Sequence, residues 1–448
     1  MRLLKWLYPG MKVKRWLFLV IGGTLLLMTG SALFPAEAGV LVRLVSLIIL
    51  GAGLAALVLG VVGLVRSFLD VLSPSPQQDL VELVFQRRHL GKGPKVVAIG
   101  GGTGLSTLLS GLKAYTTNLT AVVTVADDGG SSGRLREEFG MIPPGDIRNC
   151  LVALAEAGPL MQQLFQHRFS GSSALGGHNF GNLFITAMTQ ITGEFQQAIR
   201  ASSQILAIRG RVVPATCSRV RLVAEHEDGS VTVGESRISA SCSPIRRIYL
   251  EPAGSPATPE ALAAIQEADA IILGPGSLYT SIIPNLLVEG MVEAVVQSKA
   301  LKIYVCNVMT QFRETFGFKA SDHVQALMRH THPGLVQVCV VNTKPVPPEL
   351  LDKYRQEHAV PVEPDAQTIR ALGCQTVMAE VINAQNYIRH DPDKLARLII
   401  HLTMGPRRPV PAGVSPQVVK SRPPRPELEP PATAGALGGP GGQVVSTP

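Results

Sequence analysis

Two stretches near the start of the chain are almost wholly apolar, Trp16 to Phe34 and Val40 to Val65, the second interrupted only by Arg43. Each is long enough to cross about 30 Å of hydrocarbon as a helix. From Lys95 onward the pattern changes, and short apolar runs recur at Val96 to Ile99, Leu119 to Val125, Ala270 to Leu273, Lys302 to Cys306 and Val336 to Val341. Val96 to Ile99, set between Lys95 and Gly100, is too short for a helix and predicts a buried parallel strand, and the other runs are strand-like. Helical spacing lies between most of them, at Leu105 to Ala114, Ala261 to Glu267, Leu286 to Ser298 and Ser321 to Arg329. The alternation predicts an α/β fold, a doubly wound and mostly parallel sheet covered on both faces. One segment departs from it: Val212 to Ser239 alternates apolar and polar residues around Asp228-Gly229, which predicts a β-hairpin within a small inserted subdomain.

Charge orients the apolar pair. Arg2, Lys5, Lys12, Lys14 and Arg15 precede it and Arg66, Arg87, Arg88 and Lys92 follow, whereas the connection Pro35 to Gly39 carries only Glu37. The positive-inside rule then puts both ends in the cytoplasm, with residues 16–65 as a helical hairpin in the lipid bilayer of the inner membrane. A cleaved signal peptide is the alternative for the first run, but Ala36-Glu37-Ala38 is a poor cleavage site and a second span follows at once. The expected organisation is a basic cytoplasmic N-terminus (1–15), the hairpin (16–65), a linker (66–94), a main cytoplasmic domain (95–404) and a Pro/Gly-rich tail (405–448) that cannot bury a core.

The formal net charge of +8 misleads until it is divided. Residues 93–404 hold 26 basic and 27 acidic side chains, so the excess belongs to membrane flanks and tail. With aromatics at 5% and no basic stripe between them, a nucleic-acid partner is not expected. Six scattered cysteines without a C-x-x-C pair read as reduced thiols of a cytosolic domain. His330 and His332 flank Thr331 without a third ligand at suitable spacing and read as surface residues beside Pro333.

The chemistry concentrates in loops that follow strands. In KVVAIGGGTGLST, a strand runs into Gly101, Gly102, Thr103 and Gly104 and then a helix bearing Ser106, which aims free N–H groups at an anion. The spacing is neither the dinucleotide fingerprint, since Leu105 stands where a glycine is required, nor a P-loop. After the second strand, ADDGGSSGRLR sets Asp127 and Asp128 beside Gly129, Ser131, Ser132 and Arg134. Adjacent carboxylates repel unless a cation lies between them, and magnesium favours one or two carboxylates plus phosphate oxygens. Solvation of one aspartate and helix capping by the other is the competing explanation. Asp146, in PPGDIRN, is an N-cap or a third carboxylate facing the Asp127 turn. In GGHNFGNLF, which sets His178, Asn179 and Asn182 among glycines before a helix, a side-chain amide such as Asn179 offers hydrogen bonds to a base or sugar hydroxyl, the alternative being a loop whose polar residues satisfy local backbone. A second glycine turn follows AIIL, where Gly274, Gly276, Ser277 and Thr280 mirror the first and Tyr279 offers a stacking face or a hydrophobic plug. Asn307 stands at the end of a neighbouring strand. Two anion turns, an acidic turn and an aromatic point to a nucleoside diphosphate.

The motifs GGGTGLS, VTVADDGGSSGRLR, PPGDIRN, GHNFGNL, LGPGSLYTSIIPNLLV and CNVMTQ resemble, in order, the bacterial gluconeogenesis factor family. That family is YvcK-like and related to the phospholactate transferase CofD, and the likeness covers about Lys95 to Thr403. It implies a Rossmann-like domain binding a UDP-sugar, notably UDP-N-acetylglucosamine, and a regulatory role in cell shape and wall homeostasis on gluconeogenic carbon sources. By position, the Gly100 to Thr107 turn and the Gly274 to Tyr279 loop would hold diphosphate and uracil, with the residues of the other loops completing the nucleotide-sugar site, while Asp127, Asp128 and Asp146 match acidic loops that hold a metal in the transferases, which would be magnesium here. The alternative is a magnesium-dependent transferase of a nucleoside-diphosphate-linked group; a nicotinamide dehydrogenase suffers from the missing glycine. A homodimer and the identity of a wall-synthesis partner stay open. The loop FRETFGF departs from relatives, which more often carry Pro-Gly before the Glu-Thr pair.

Overall fold

The computed structural model describes residues 13–33, 39–72, 90–241, 243–383 and 387–405. The basic segment 1–12, residues 34–38, most of the expected linker, Cys242 and the tail from 406 lie outside them.

Two antiparallel helices, Val13–Ala32 and Val40–Leu72, carry the apolar stretches, and both are long and apolar enough to cross a membrane. Glycine lets their backbones touch: a Cβ on Gly23 would lie 2.6 Å from Leu57 N, and one on Gly53 2.9 Å from Leu27 N. Close backbone approach over small residues is how helices associate where apolar side chains gain nothing by leaving lipid.

The main domain is built on seven parallel strands. In chain order the first ten strands are β1 (Val96–Gly100), β2 (Leu119–Val123), β3 (Arg211–Pro214), β4 (Arg221–His226), β5 (Val231–Val233), β6 (Ile245–Glu251), β7 (Ala270–Leu273), β8 (Leu301–Val305), β9 (Val338–Asn342) and β10 (Gln375–Ala379). The large sheet runs β10-β9-β8-β7-β1-β2-β3. Val96 to Ile99 pair with Leu119 to Val122 on one side and Ala270 to Leu273 on the other, all parallel. Both faces are covered, which explains why β1 and β7 are apolar throughout and β2 departs only at the buried Thr120. The helix after β1, Gly102–Leu112, buries Leu105, Leu108, Leu109 and Leu112 completely, each worth about 1.5–3 kcal/mol of apolar transfer.

The chain steps from β1 outward through β2 to β3, then returns to place β7 on the opposite side of β1. The crevice between the carboxyl ends of β1 and β7 is therefore the topological switch point, where open α/β sheets bind ligands.

Three expectations need correction. The hairpin around Asp228-Gly229 exists as β4 and β5, but Val212 belongs to β3 at the edge of the main sheet, and β6 adds a third antiparallel strand to the insertion. The helix expected over Leu286 to Ser298 is broken. A π-helical turn over Leu278–Ile282 leads into Ile283–Leu286, and a new helix, Met291–Gln297, starts after Gly290 at φ +89°. His330 is not a surface residue: it accepts from Ile248 N–H through Nε2 (3.2 Å), donates through Nδ1 to Ala326 O (2.8 Å), and packs edge-on to Tyr279. A short pair, β11 (Ile382–Asn383) and β12 (Arg389–His390), precedes the last helix, Pro392–Met404.

Candidate functional site

The two glycine turns meet at the switch point. Gly101 caps the helix Gly102–Leu112, whose first N–H groups face outward from the end of β1. A Cβ on Gly104 would sit 2.5 Å from Pro275 O and 3.0 Å from Gly276 N, so the first turn lies directly on the second. Asn285 Nδ2 donates to Gly100 O (3.0 Å) and Ser281 O (2.7 Å), locking the two turns from beneath. The π-helical turn begins here, with Ile282 N–H reaching Ser277 O across five residues at 3.0 Å.

Between the turns opens a cavity of about 300 Å³, lined by Gly101, Gly102, Thr103, Gly104, Gly276, Ser277, Thr280 and Ser281 on one side and Thr124, Asp127, Asp146 and Glu235 on the other. One wall is thus an anion cradle and the facing wall is acidic. Gly102 N–H donates to the Asp146 carboxylate, and Asp127 accepts from Gly129 N–H at 2.9 Å. Burial, reinforced by the nearby charge of Asp127, pushes Asp146 up to about 7. Burial and Asp127 do the same to Glu235, also up to about 7. Glu314, buried behind Thr280, is raised to about 7 by burial; its Oε1 accepts from Ser239 (3.0 Å) and Thr280 (3.5 Å) and its Oε2 has no partner. Three carboxyls that hold protons near neutrality around an anion cradle mark a site prepared for a charged ligand.

A second cavity of about 270 Å³ shares Asp127 and Asp146 and is completed by Gly129, Gly130, Ser131, Ser132, Gly145, Arg148, Asn149, Arg168 and Asn182. The GHNFGN loop builds its back wall. His178 Nδ1 lies 3.3 Å from Ser131 Oγ, Asn179 N–H donates to the same oxygen (3.2 Å), and Asn182 Nδ2 donates to Ser131 (3.2 Å) and Ser132 (3.4 Å). Asn179 also caps the helix Phe180–Thr192.

Several expected site residues face elsewhere. Asp128 turns from Asp127 and accepts from Ser236 N–H (2.9 Å) and Oγ (2.5 Å), fastening the helix Glu235–Ala240 of the insertion. The expected trio Asp127, Asp128 and Asp146 is therefore a pair, and no cluster of three or more metal-ligating side chains occurs among the described residues. The pair fits magnesium only in the company of a ligand's phosphate oxygens. Tyr279 is 3% exposed, packed edge-on to Phe318 and His330, so it offers no stacking face. Ser106 bonds back to Gly102 O (3.0 Å) along its helix. Arg134 donates to Gly176 O (3.0 Å), holding the histidine loop, and Gly274 shapes its turn at φ +81°. Asn307 lines neither cavity.

Glu235 and Glu314 escaped the sequence reasoning. Glu235 is delivered by the insertion, and Glu314 by the FRETFGF loop, just after Gln311, whose Nε2 donates to Ser277 Oγ at 2.7 Å. The only sequence signal for either was that loop's departure from its relatives.

Residues 96–382 match the family model described as 2-phospho-L-lactate transferase CofD. A relative from Nostoc sp. (strain PCC 7120) is 47% identical over 418 residues, 88% of this chain and 91% of that protein. The gluconeogenesis factor of Bacillus subtilis (strain 168) is 48% identical over 314 residues, 70% of this chain and 99% of that one. Among solved structures, protein BH3568 from Bacillus halodurans superposes with a TM-score of 0.68 at 48% identity, covering 69% of this chain and all of that one (100%).

Proposed function

Because the chain belongs to the CofD-like gluconeogenesis factor family, we propose that it is a nucleotide-sugar sensor that binds UDP-N-acetylglucosamine, held at the cytoplasmic face of the inner membrane by its N-terminal hairpin. The observation that carries this reading is the meeting of two glycine turns at the switch point, with the diphosphate cradled by Gly101 to Gly104 and Gly276 to Ser277. Backbone N–H groups at a helix start bind phosphate without any side-chain charge. Asp127 and Asp146 would hold magnesium against that diphosphate, and the ion when bound supplies neutralisation of its charge. Thr280, Ser281 and Glu235 line the same cavity and would meet the sugar or ribose hydroxyls. Regulation of cell shape and wall homeostasis during growth on gluconeogenic carbon follows from sensing a wall precursor.

Calorimetric titration of the full chain in detergent micelles with UDP-N-acetylglucosamine, with and without magnesium, tests the ligand; no heat at millimolar ligand would sink it. Fractionation tests the anchor. A chain lacking residues 1–92 should leave the membrane pellet, and its retention there would remove the hairpin from the proposal.

The carboxylate pair also favours a second reading, the magnesium-dependent transfer of a nucleoside-diphosphate-linked group. Product formed from a screen of donors and acceptors, and lost in Asp127→Asn, would establish turnover.

A further inference from the structure

The second cavity is unused by nucleotide sensing as described above. Its floor is the start of the helix Gly130–Phe139, where Ser131 and Ser132 present hydroxyls already fixed by His178, Asn179 and Asn182. Two guanidinium groups, Arg148 and Arg168, line the same space. Neither forms an ion pair among the described residues. Arg148 is held by Asn182 Oδ1 (2.9 Å) and Asn149 Oδ1 (2.6 Å), yet its Nε is buried with no acceptor. Arg168 donates to Gly177 O at 2.7 Å and leaves the rest of its fork open. The two lie close enough that the charge of Arg168 lowers the Arg148 pKa, after burial the largest influence on it. Converging like charges and a buried donor without an acceptor both cost stability. An anion in the cavity relieves both, because a phosphate supplies bidentate acceptors for a planar fork.

We infer that the cavity of Ser131, Ser132, Arg148 and Arg168 is a second anion site, which takes a phosphate-bearing small molecule while the first cavity holds a nucleoside diphosphate. The inference rests on the nucleotide reading of the first cavity. Asp127 and Asp146 line both spaces and so stand between the two anions. That wall keeps the two ligands apart and lets a single cation serve both.

The test is equilibrium dialysis of the full chain in detergent micelles against radiolabelled inorganic phosphate, with and without saturating UDP. Phosphate should bind in the presence of UDP, and Arg168→Ala should weaken it about tenfold, the loss expected for one charge-assisted contact, with partial recovery in Arg168→Lys. A thermal melt of each variant confirms the fold. Phosphate displaced stoichiometrically by UDP would mean one anion site and overturn the inference, as would affinity indifferent to Arg168. Should UDP fail to bind, the nucleotide reading falls alone: phosphate binding that still depends on Arg168 supports the second site, and binding that does not refutes it.

Discussion

Gly104→Ala separates binding from folding at the junction of the two turns. The added methyl would face Pro275 O at 2.5 Å and Pro275 C at 2.7 Å, whereas ordinary contact begins at 3.4 Å. Both obstacles are backbone, so the turns must part by the difference, close to an ångström. Overpacking of this kind costs about 1–3 kcal/mol, and alanine returns about 1 kcal/mol of helix propensity over glycine. The net loss of stability is therefore about 0–2 kcal/mol. Binding suffers more. Loss of one hydrogen bond to a charged phosphate costs about 1.5–3 kcal/mol, or about 10- to 100-fold in affinity. The control is Gly111→Ala on the same helix, whose methyl would strike the carbonyl of Pro392, away from both cavities. Titration with UDP-N-acetylglucosamine beside thermal melts should show affinity lost in Gly104→Ala and stability alone lost in Gly111→Ala. Wild-type affinity in Gly104→Ala would refute the packing of the turns as the basis of the phosphate cradle.

Two further outcomes follow from the site. Asp146 is raised from its ordinary 3.8 to about 7, so the folded state holds the extra proton between those values; stability of the ligand-free protein should fall as pH climbs through that window and level off above it. Melts of Asp146→Asn should show a shallower decline than wild type, and an identical pH profile would mean that Asp146 does not titrate there. Tyr279→Phe should bind nucleotide sugar like wild type, while Tyr279→Ala should lose about 3–5 kcal/mol of stability in denaturant melts; a loss of affinity in Tyr279→Phe would return the tyrosine to the ligand.

The sheet was legible where burial on both faces makes a strand apolar throughout, as in β1 and β7. It was illegible at its edges. β10 is partly exposed along its length, and β3 spans four residues ending in Pro214, so neither shows an unbroken apolar run. The turns at Gly101 and Gly274 could be read because glycine spacing is local. The division of labour between Asp127 and Asp128 could not, since it is decided by Ser236, which lies 108 residues downstream. Likewise Tyr279 looks available within a glycine loop until the helix Ala320–His330 brings His330 against its ring.

The π-helical turn at Leu278–Ile282 gives the second glycine loop one residue more than an α-helical path between the same endpoints would use. Loss of one residue here would not tear the segment but rewind it, carrying everything beyond the deletion round the axis by about 100°. Asn285, clasped to the carbonyl of Gly100, and Thr280, reaching Glu314, depend on that extra residue for their directions. The loop is therefore constrained in length as well as in letter: Gly274 at φ +81° and the clasp of Asn285 fix particular residues, and an insertion or deletion would misdirect several of these contacts at once.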